Sequence, residues 1–126
     1  MSSQKKVLAF DAGGGSTRIL KTAFDGSRLS IEQIARYPNG PVAAGRNLYW
    51  DILGIWRDLK HGLRKAFSLD KDIASLGIDT WGNDFALLDK KGYLIENPYS
   101  YRDTRTTGLV EEVNSNIGGM ELYSRN

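Results

Sequence analysis

The chain has 126 residues, the size of one ordinary domain. Its 40% hydrophobic and 25% charged residues exclude a disordered chain, and a net charge of +2, from 17 basic and 15 acidic residues, excludes a nucleic-acid surface built on bulk charge. The absence of cysteine, a single histidine (His61) and the lack of a ~20-residue apolar run exclude disulfides, thiolate or His-rich metal sites and a membrane span. Residues 1–6 are polar and carry no signal-peptide pattern, so the expected setting is the cytoplasm, with no membrane partner.

Val7-Leu8-Ala9-Phe10-Asp11 is an apolar run ending in an acid and reads as a buried strand. Gly13-Gly14-Gly15-Ser16-Thr17 turns the chain into a second strand over 18–24, and Asp25-Gly26 turns it into a third over 29–37. Asn39-Gly40-Pro41 ends this meander. Residues 48–67 have helical periodicity, with Ile52, Ile55, Trp56, Leu59, Leu63 and Phe67 on one face, Asp51 as N-cap and His61 on the solvent side. Residues 73–79 form another strand ending in an acid, Asp79. Trp81-Gly82 leads to a strand over 85–88, a turn over 89–92, a short return over 93–95, and a second helix from Asp103 to Val113. The expected fold is α/β: a three-stranded antiparallel meander joined by a helix to a parallel crossover strand in one mixed sheet. Met120, Leu122 and Tyr123 look like core residues with little chain left to pack on, which points to a piece of a longer protein.

Three successive glycines after a buried strand let backbone amides converge on an anion. A Walker A loop needs Gly-Lys-Ser/Thr, and a dinucleotide fingerprint needs a helix after its glycines; neither occurs here. A phosphate-gripping hairpin and an ordinary glycine-rich hairpin both remain. Asp11 and Asp79 each end an apolar strand, and the intervening helix supplies the crossover that parallel strands require. As neighbours, the two carboxylates would share the crevice at the strand ends and suit a hydrated Mg²⁺; otherwise each caps a turn. Trp81, Gly82, Asn83 and Asp84 combine an indole face with hydroxyl-binding groups, as a sugar wall does and as a core Trp beside a polar turn also would.

Phe10-Asp11-Ala12-Gly13-Gly14-Gly15-Ser16-Thr17-Arg18, Gly77-Ile78-Asp79-Thr80-Trp81-Gly82-Asn83-Asp84-Phe85, Leu87-Leu88-Asp89, Asn97-Pro98-Tyr99, Tyr101-Arg102-Asp103 and Arg105-Thr106 together resemble the FGGY family of carbohydrate kinases. The resemblance covers nearly the whole chain in order, and Asp79-Thr80-Trp81-Gly82 is its most specific part. It implies a ribonuclease-H-like fold of the actin-like ATPase superfamily, in proteins whose two domains enclose an ATP and sugar cleft. Residues 1–126 would be the N-terminal portion of domain I, with domain II and the catalytic base, an Asp, beyond Asn126. In family members the loop matching Gly14 to Arg18 contacts ATP phosphates, and the acid matching Asp11 lies near Mg²⁺. The position matching Gly82 contacts the sugar, and Asn83 lines the same pocket. The expected phosphate site is therefore Gly13, Gly14, Gly15, Ser16, Thr17 and Arg18; the metal site is Asp11 and Asp79; the sugar wall is Trp81, Gly82, Asn83 and Asp84. The implied activity is MgATP-dependent phosphorylation of a ketose by the longer protein, with this stretch alone inactive. A non-catalytic actin-like nucleotide-binding domain is the alternative. Asp103 either caps the following helix or stands with Arg102 and Arg105 near the cleft.

Overall fold

The computed structural model describes residues 5–125; of the polar lead-in over residues 1–6, the first four lie outside them. Strands β1 (Lys5–Ala12), β2 (Ser16–Phe24) and β3 (Leu29–Pro38) form the expected antiparallel meander. β2 begins at Ser16, so the glycine turn is shorter than the sequence suggests. Alternation along β1 sends Leu8, Phe10 and Ala12 to one face and Asp11 to the other.

Helix α1 (Ile52–Leu69) covers the first of these faces. Leu59 and Ala66 pack there with Leu8, Phe10, Ala12, Ile19 and Ile34, and Ile55 and Leu63 flank the cluster. Burial of each large apolar side chain contributes about 1.5–3 kcal/mol. The buried stripe differs from the one predicted. Trp56 and Phe67 remain about half exposed, whereas Gly54, Leu59, Gly62 and Ala66 are buried. Helix and sheet meet through small residues: the space a Cβ on Gly62 would take is already filled by Ile19 Cγ1. A periodicity of large apolar residues is blind to such a contact.

The helix also starts later than expected. Asp51 is the N-cap, its Oδ1 accepting from Gly54 N at 2.9 Å, so residues before it are not helical. They form instead a small hairpin of β4 (Pro41–Ala44) and β5 (Asn47–Trp50), turned at Gly45 with φ of 64°. Its outer strand is tied down by Trp50 N to Pro98 O (2.9 Å) and Ser100 N to Leu48 O (2.8 Å).

After α1 the chain returns as β6 (Ile73–Thr80), parallel to β1, giving the sheet order β3-β2-β1-β6. β6 is the sheet edge, and Leu76 and Ile78 are exposed on it. The strands expected over 85–88 and 93–95 reduce to one bridge, Leu88 to Leu94, around the turn capped by Asp89. A two-stranded ribbon with no third strand against it is marginal, and Phe85, Leu87 and Leu88 are exposed. The second helix is also divided. A 3-10 turn (Thr104–Thr106) capped by Asp103 is separated from α2 (Leu109–Ile117) by Gly108 at φ of 83°. The last element is α3 (Gly119–Arg125), on which Met120 and Tyr123 are exposed rather than core. No helix among the described residues is long and apolar enough to cross a membrane.

Candidate active site

One row of residues crosses all four strands near the end of β1. Asp79 on β6 pairs with Asp11 on β1, Asp11 with Arg18 on β2, and Arg18 with Arg36 on β3. Paired positions share a face, so two carboxylates and two guanidinium groups line up on the side of the sheet opposite α1. Arg18 Nη2 lies 2.5 Å from Asp11 Oδ2. Asp79 is exposed, with no ion-pair partner among the described residues.

The glycine turn rises from this row. Gly13 N donates to Ser16 O at 3.0 Å, which closes the turn. Asn39 clips it from behind: its Nδ2 donates to Gly13 O at 2.8 Å and its N to Gly15 O at 3.2 Å. The carbonyls of Gly13 and Gly15 are thereby occupied, while the N–H groups of Gly14 and Gly15 meet no acceptor among the described residues. None of the three glycines has a positive φ, so left-handed backbone is not why they are there. Space is a better reason. A Cβ on Gly13 would lie 3.2 Å from Ser16 O, and one on Gly14 would lie 3.2 Å from Tyr101 Oη. At Gly15 no protein atom comes within 4 Å of that position, leaving the turn open on that side.

The remaining expected phosphate residues differ in access. Arg18 is half-exposed and held by Asp11, and Ser16 is partly buried. The Thr17 side chain is buried towards the core, its Oγ1 without a hydrogen-bond partner among the described residues.

The expected sugar-wall residues form two groups. Trp81 and Asp84 are held in a cluster with Trp50, a residue the sequence reading assigns to a helix. Asp84 Oδ2 accepts from both indoles, Trp50 Nε1 at 2.6 Å and Trp81 Nε1 at 2.8 Å. The two rings pack 4.4 Å apart, and Tyr101 lies 6.3 Å from Trp50. Trp50 is fully buried, and Trp81 packs partly against the main core. Gly82 and Asn83 are exposed beside them, and Gly82 has φ of 70°, a conformation a side chain would strain.

Asp103 is 5% exposed and serves the framework. It accepts from Leu48 N at 2.6 Å and Arg105 N at 2.8 Å, and these N–H groups hold its carboxyl below the usual carboxylate range. It thus caps the 3-10 turn and fastens β5 to it, while Arg105 lies over the Tyr99 ring at 3.9 Å. Asn39, Trp50 and Tyr101 are the site residues the sequence reading misses. Only Asn39 gives a local signal, as part of Asn39-Gly40-Pro41, and that signal denotes a turn.

No family model matches the chain. Among curated proteins it is 39% identical to a rhamnulokinase of Bacteroides thetaiotaomicron over 122 residues, 97% of this chain and 25% of that protein. It is 32% identical to a rhamnulokinase of Mannheimia succiniciproducens, covering 94% of this chain and 25% of the relative. The chain thus spans about a quarter of the length of the curated relatives it matches. Among solved structures, a gluconate kinase from Lactobacillus acidophilus matches 97% of the chain and 25% of its own with a TM-score of 0.77 at 14% identity. A xylulose kinase from Lactobacillus acidophilus matches 95% of the chain and 24% of its own, also with a TM-score of 0.77, at 13% identity. The chain is thus similar in sequence to rhamnulokinases and in fold to solved sugar kinases.

The fold is accordingly that of the actin-like ATPases, with a mixed sheet of parallel and antiparallel strands. Tyr101 links the two groups of residues, its hydroxyl lying at the glycine turn and its ring facing Trp50 of the Trp50–Trp81–Asp84 cluster.

Proposed function

We propose that this chain is part of domain I of a longer sugar kinase that transfers the γ-phosphoryl group of MgATP to a ketose, with L-rhamnulose as substrate and L-rhamnulose 1-phosphate as product. The observation that carries this reading is the in-register pair of Asp11 and Asp79 beside a glycine turn with free amides. The 39% identity to a rhamnulokinase supports the choice of sugar. The open β6 edge, with Leu76 and Ile78 exposed, leaves a surface suited to further chain.

The residues present fit the nucleotide. The N–H groups of Gly14 and Gly15 have no acceptor among the described residues and can serve an anion, for which Gly15 leaves space. Arg18 supplies positive charge at the base of the turn. They fit a divalent cation too, in the manner of Mg²⁺, which keeps several waters and needs only one or two carboxylates. Among the described residues no cluster of three or more ligating side chains exists, so Asp11 and Asp79 are the groups that would hold it. A bound Mg²⁺ supplies charge neutralisation for the phosphates. Asp11 and Asp79 orient the hydrated ion, and Arg18 keeps Asp11 in place. The Trp81 face, Gly82, Asn83 and Asp84 form one wall of the sugar pocket. The transfer breaks the bond between the γ-phosphorus and the ADP oxygen, forms a bond from that phosphorus to the ketose oxygen, and sends the hydroxyl proton to an Asp in the rest of the protein. Neither nucleic acid nor membrane enters this reading, and the cytoplasm is its setting.

Fuculose, xylulose or another pentulose is the second reading of the substrate, favoured by the exposed polar side chain of Asn83 beside Gly82. A coupled ADP-release assay of the full-length protein against a panel of ketoses tests both. L-Rhamnulose should give the highest kcat/KM. A preference for another ketose replaces the sugar, and the absence of ADP release with every ketose points to the non-catalytic nucleotide-binding domain.

A further inference from the structure

Arg102 lies beside the glycine turn, and the readings above give it no role there. A Cβ on Gly14 would lie 3.8 Å from Arg102 Nη2 and 3.2 Å from Tyr101 Oη, so both side chains overhang the turn. Tyr101 holds the arginine: Arg102 Nε donates to Tyr101 Oη at 3.2 Å, and the guanidinium stands 5.3 Å from the Tyr101 ring. The backbone is also fixed, with Arg102 N donating to Ser100 Oγ at 3.2 Å. Yet Arg102 has no carboxylate partner among the described residues, whereas Arg18 is paired with Asp11. An arginine anchored through Nε keeps its two terminal nitrogens free for bidentate recognition of a phosphate.

Position sharpens this. Tyr101 touches the turn through its hydroxyl and faces Trp50 through its ring, so it joins the phosphate turn to the Trp50–Trp81 wall and holds the Arg102 guanidinium at the turn end of that junction. In a phosphoryl transfer from nucleotide to sugar, the group that crosses such a junction is the terminal phosphoryl. We propose that Arg102 is a phosphate-binding residue that grips the terminal phosphoryl group of the nucleotide, held for that purpose by the Tyr101 hydroxyl. This rests on the kinase reading, and it adds a charge that distinguishes the triphosphate from the diphosphate.

The test is calorimetric binding of MgATP and MgADP to the full-length protein, to Arg102→Gln and to Arg102→Lys, with kcat and thermal melting on the same preparations. Arg102→Gln should weaken MgATP by on the order of 10- to 100-fold, as expected for a lost charge-assisted pair, and leave MgADP within about twofold. It should also lower kcat at saturating ATP, because charge on the transferring group grows in the transition state. Arg102→Lys should recover part of the MgATP affinity. Unchanged MgATP affinity in Arg102→Gln overturns the role of Arg102 and leaves the kinase reading standing. Equal losses for MgATP and MgADP with a fall in melting temperature also overturn it, since that pattern marks a structural residue. A parent protein that binds neither nucleotide overturns this inference and the kinase reading together.

Discussion

Asp11 and Asp79 are direct partners across the parallel pair β1–β6, and so project from adjacent strands on the face that α1 leaves uncovered. Like charges at that separation repel unless a cation lies near both. Arg18 meets Asp11 alone among the described residues, which leaves Asp79 free for such a cation.

Asp79→Asn should therefore raise the Mg²⁺ concentration for half-maximal activity by on the order of tenfold or more while leaving the fold intact, because Asp79 is exposed and structurally uncommitted. Titrating Mg²⁺ at fixed ATP measures this. An unchanged Mg²⁺ midpoint in Asp79→Asn would show that the pair only ends two strands.

Gly15→Ala isolates the space reserved for phosphate. The residue has no positive φ, and a Cβ there meets no protein atom within 4 Å, so melting temperature should hold. KM for ATP should rise, because the methyl group stands where the anion approaches. Gly14→Ala should disturb more, since its Cβ would press on Tyr101 Oη. Steady-state kinetics with a melting curve on each variant separates the two.

Asp84 anchors two indoles with one oxygen, and removing that oxygen strands both. Asp84→Leu should destabilise by about 1–3 kcal/mol for each N–H left unsatisfied, and should raise KM for the ketose by letting Trp81 drift. Trp81→Ala should do both more severely, at about 3–5 kcal/mol, because the ring also packs on Trp50 and the core. A sugar KM that Asp84→Leu leaves unmoved would make Trp81 a packing residue only. Denaturant unfolding and ketose titration supply the two measurements.

Gly62→Ala tests packing remote from the chemistry. The added methyl group would collide with Ile19 Cγ1, so overpacking should remove about 1–3 kcal/mol of stability with no change in either KM.

Asp103 gives a pH signature. N–H donors from Leu48 and Arg105 depress its folded pKa below the unfolded value of about 3.9. Its stabilisation is therefore fully present above about pH 4 and is lost as the pH falls through the folded value. Melting temperature followed from pH 7 to pH 2 should fall less steeply at the acid end in Asp103→Asn, from a lower starting point. Parallel curves would mean that the carboxylate contributes nothing through its charge.

The four-stranded sheet is legible in the sequence because each strand carries its own apolar run and its own turn: Gly13 to Gly15 before β2, Asp25-Gly26 before β3, and an acid closing both β1 and β6. The pairing of Asp11 with Asp79 follows, since one crossover helix leaves few places for the second strand. What escapes sequence reading depends on distant partners. Leu48 and Trp50 continue the helical phase of α1, and pairing with β4, together with Pro98, Ser100 and Asp103 some 50 residues away, holds them as a strand. Trp50 and Tyr101 belong to the site for the same reason, through side-chain contacts with Asp84 and Gly14 that no local pattern announces. Phe85 and Leu87 show the converse, a strand-like pattern with no neighbouring strand to complete it.

The most direct measurement is phosphorus NMR of the full-length protein with MgATP and L-rhamnulose. The expected result is a new sugar 1-phosphate resonance growing in step with ADP, and much slower in Asp79→Asn at the same Mg²⁺ concentration. ATP that stays intact, or that yields only inorganic phosphate with the ketose present, would contradict a sugar kinase built on the Asp11–Asp79 row.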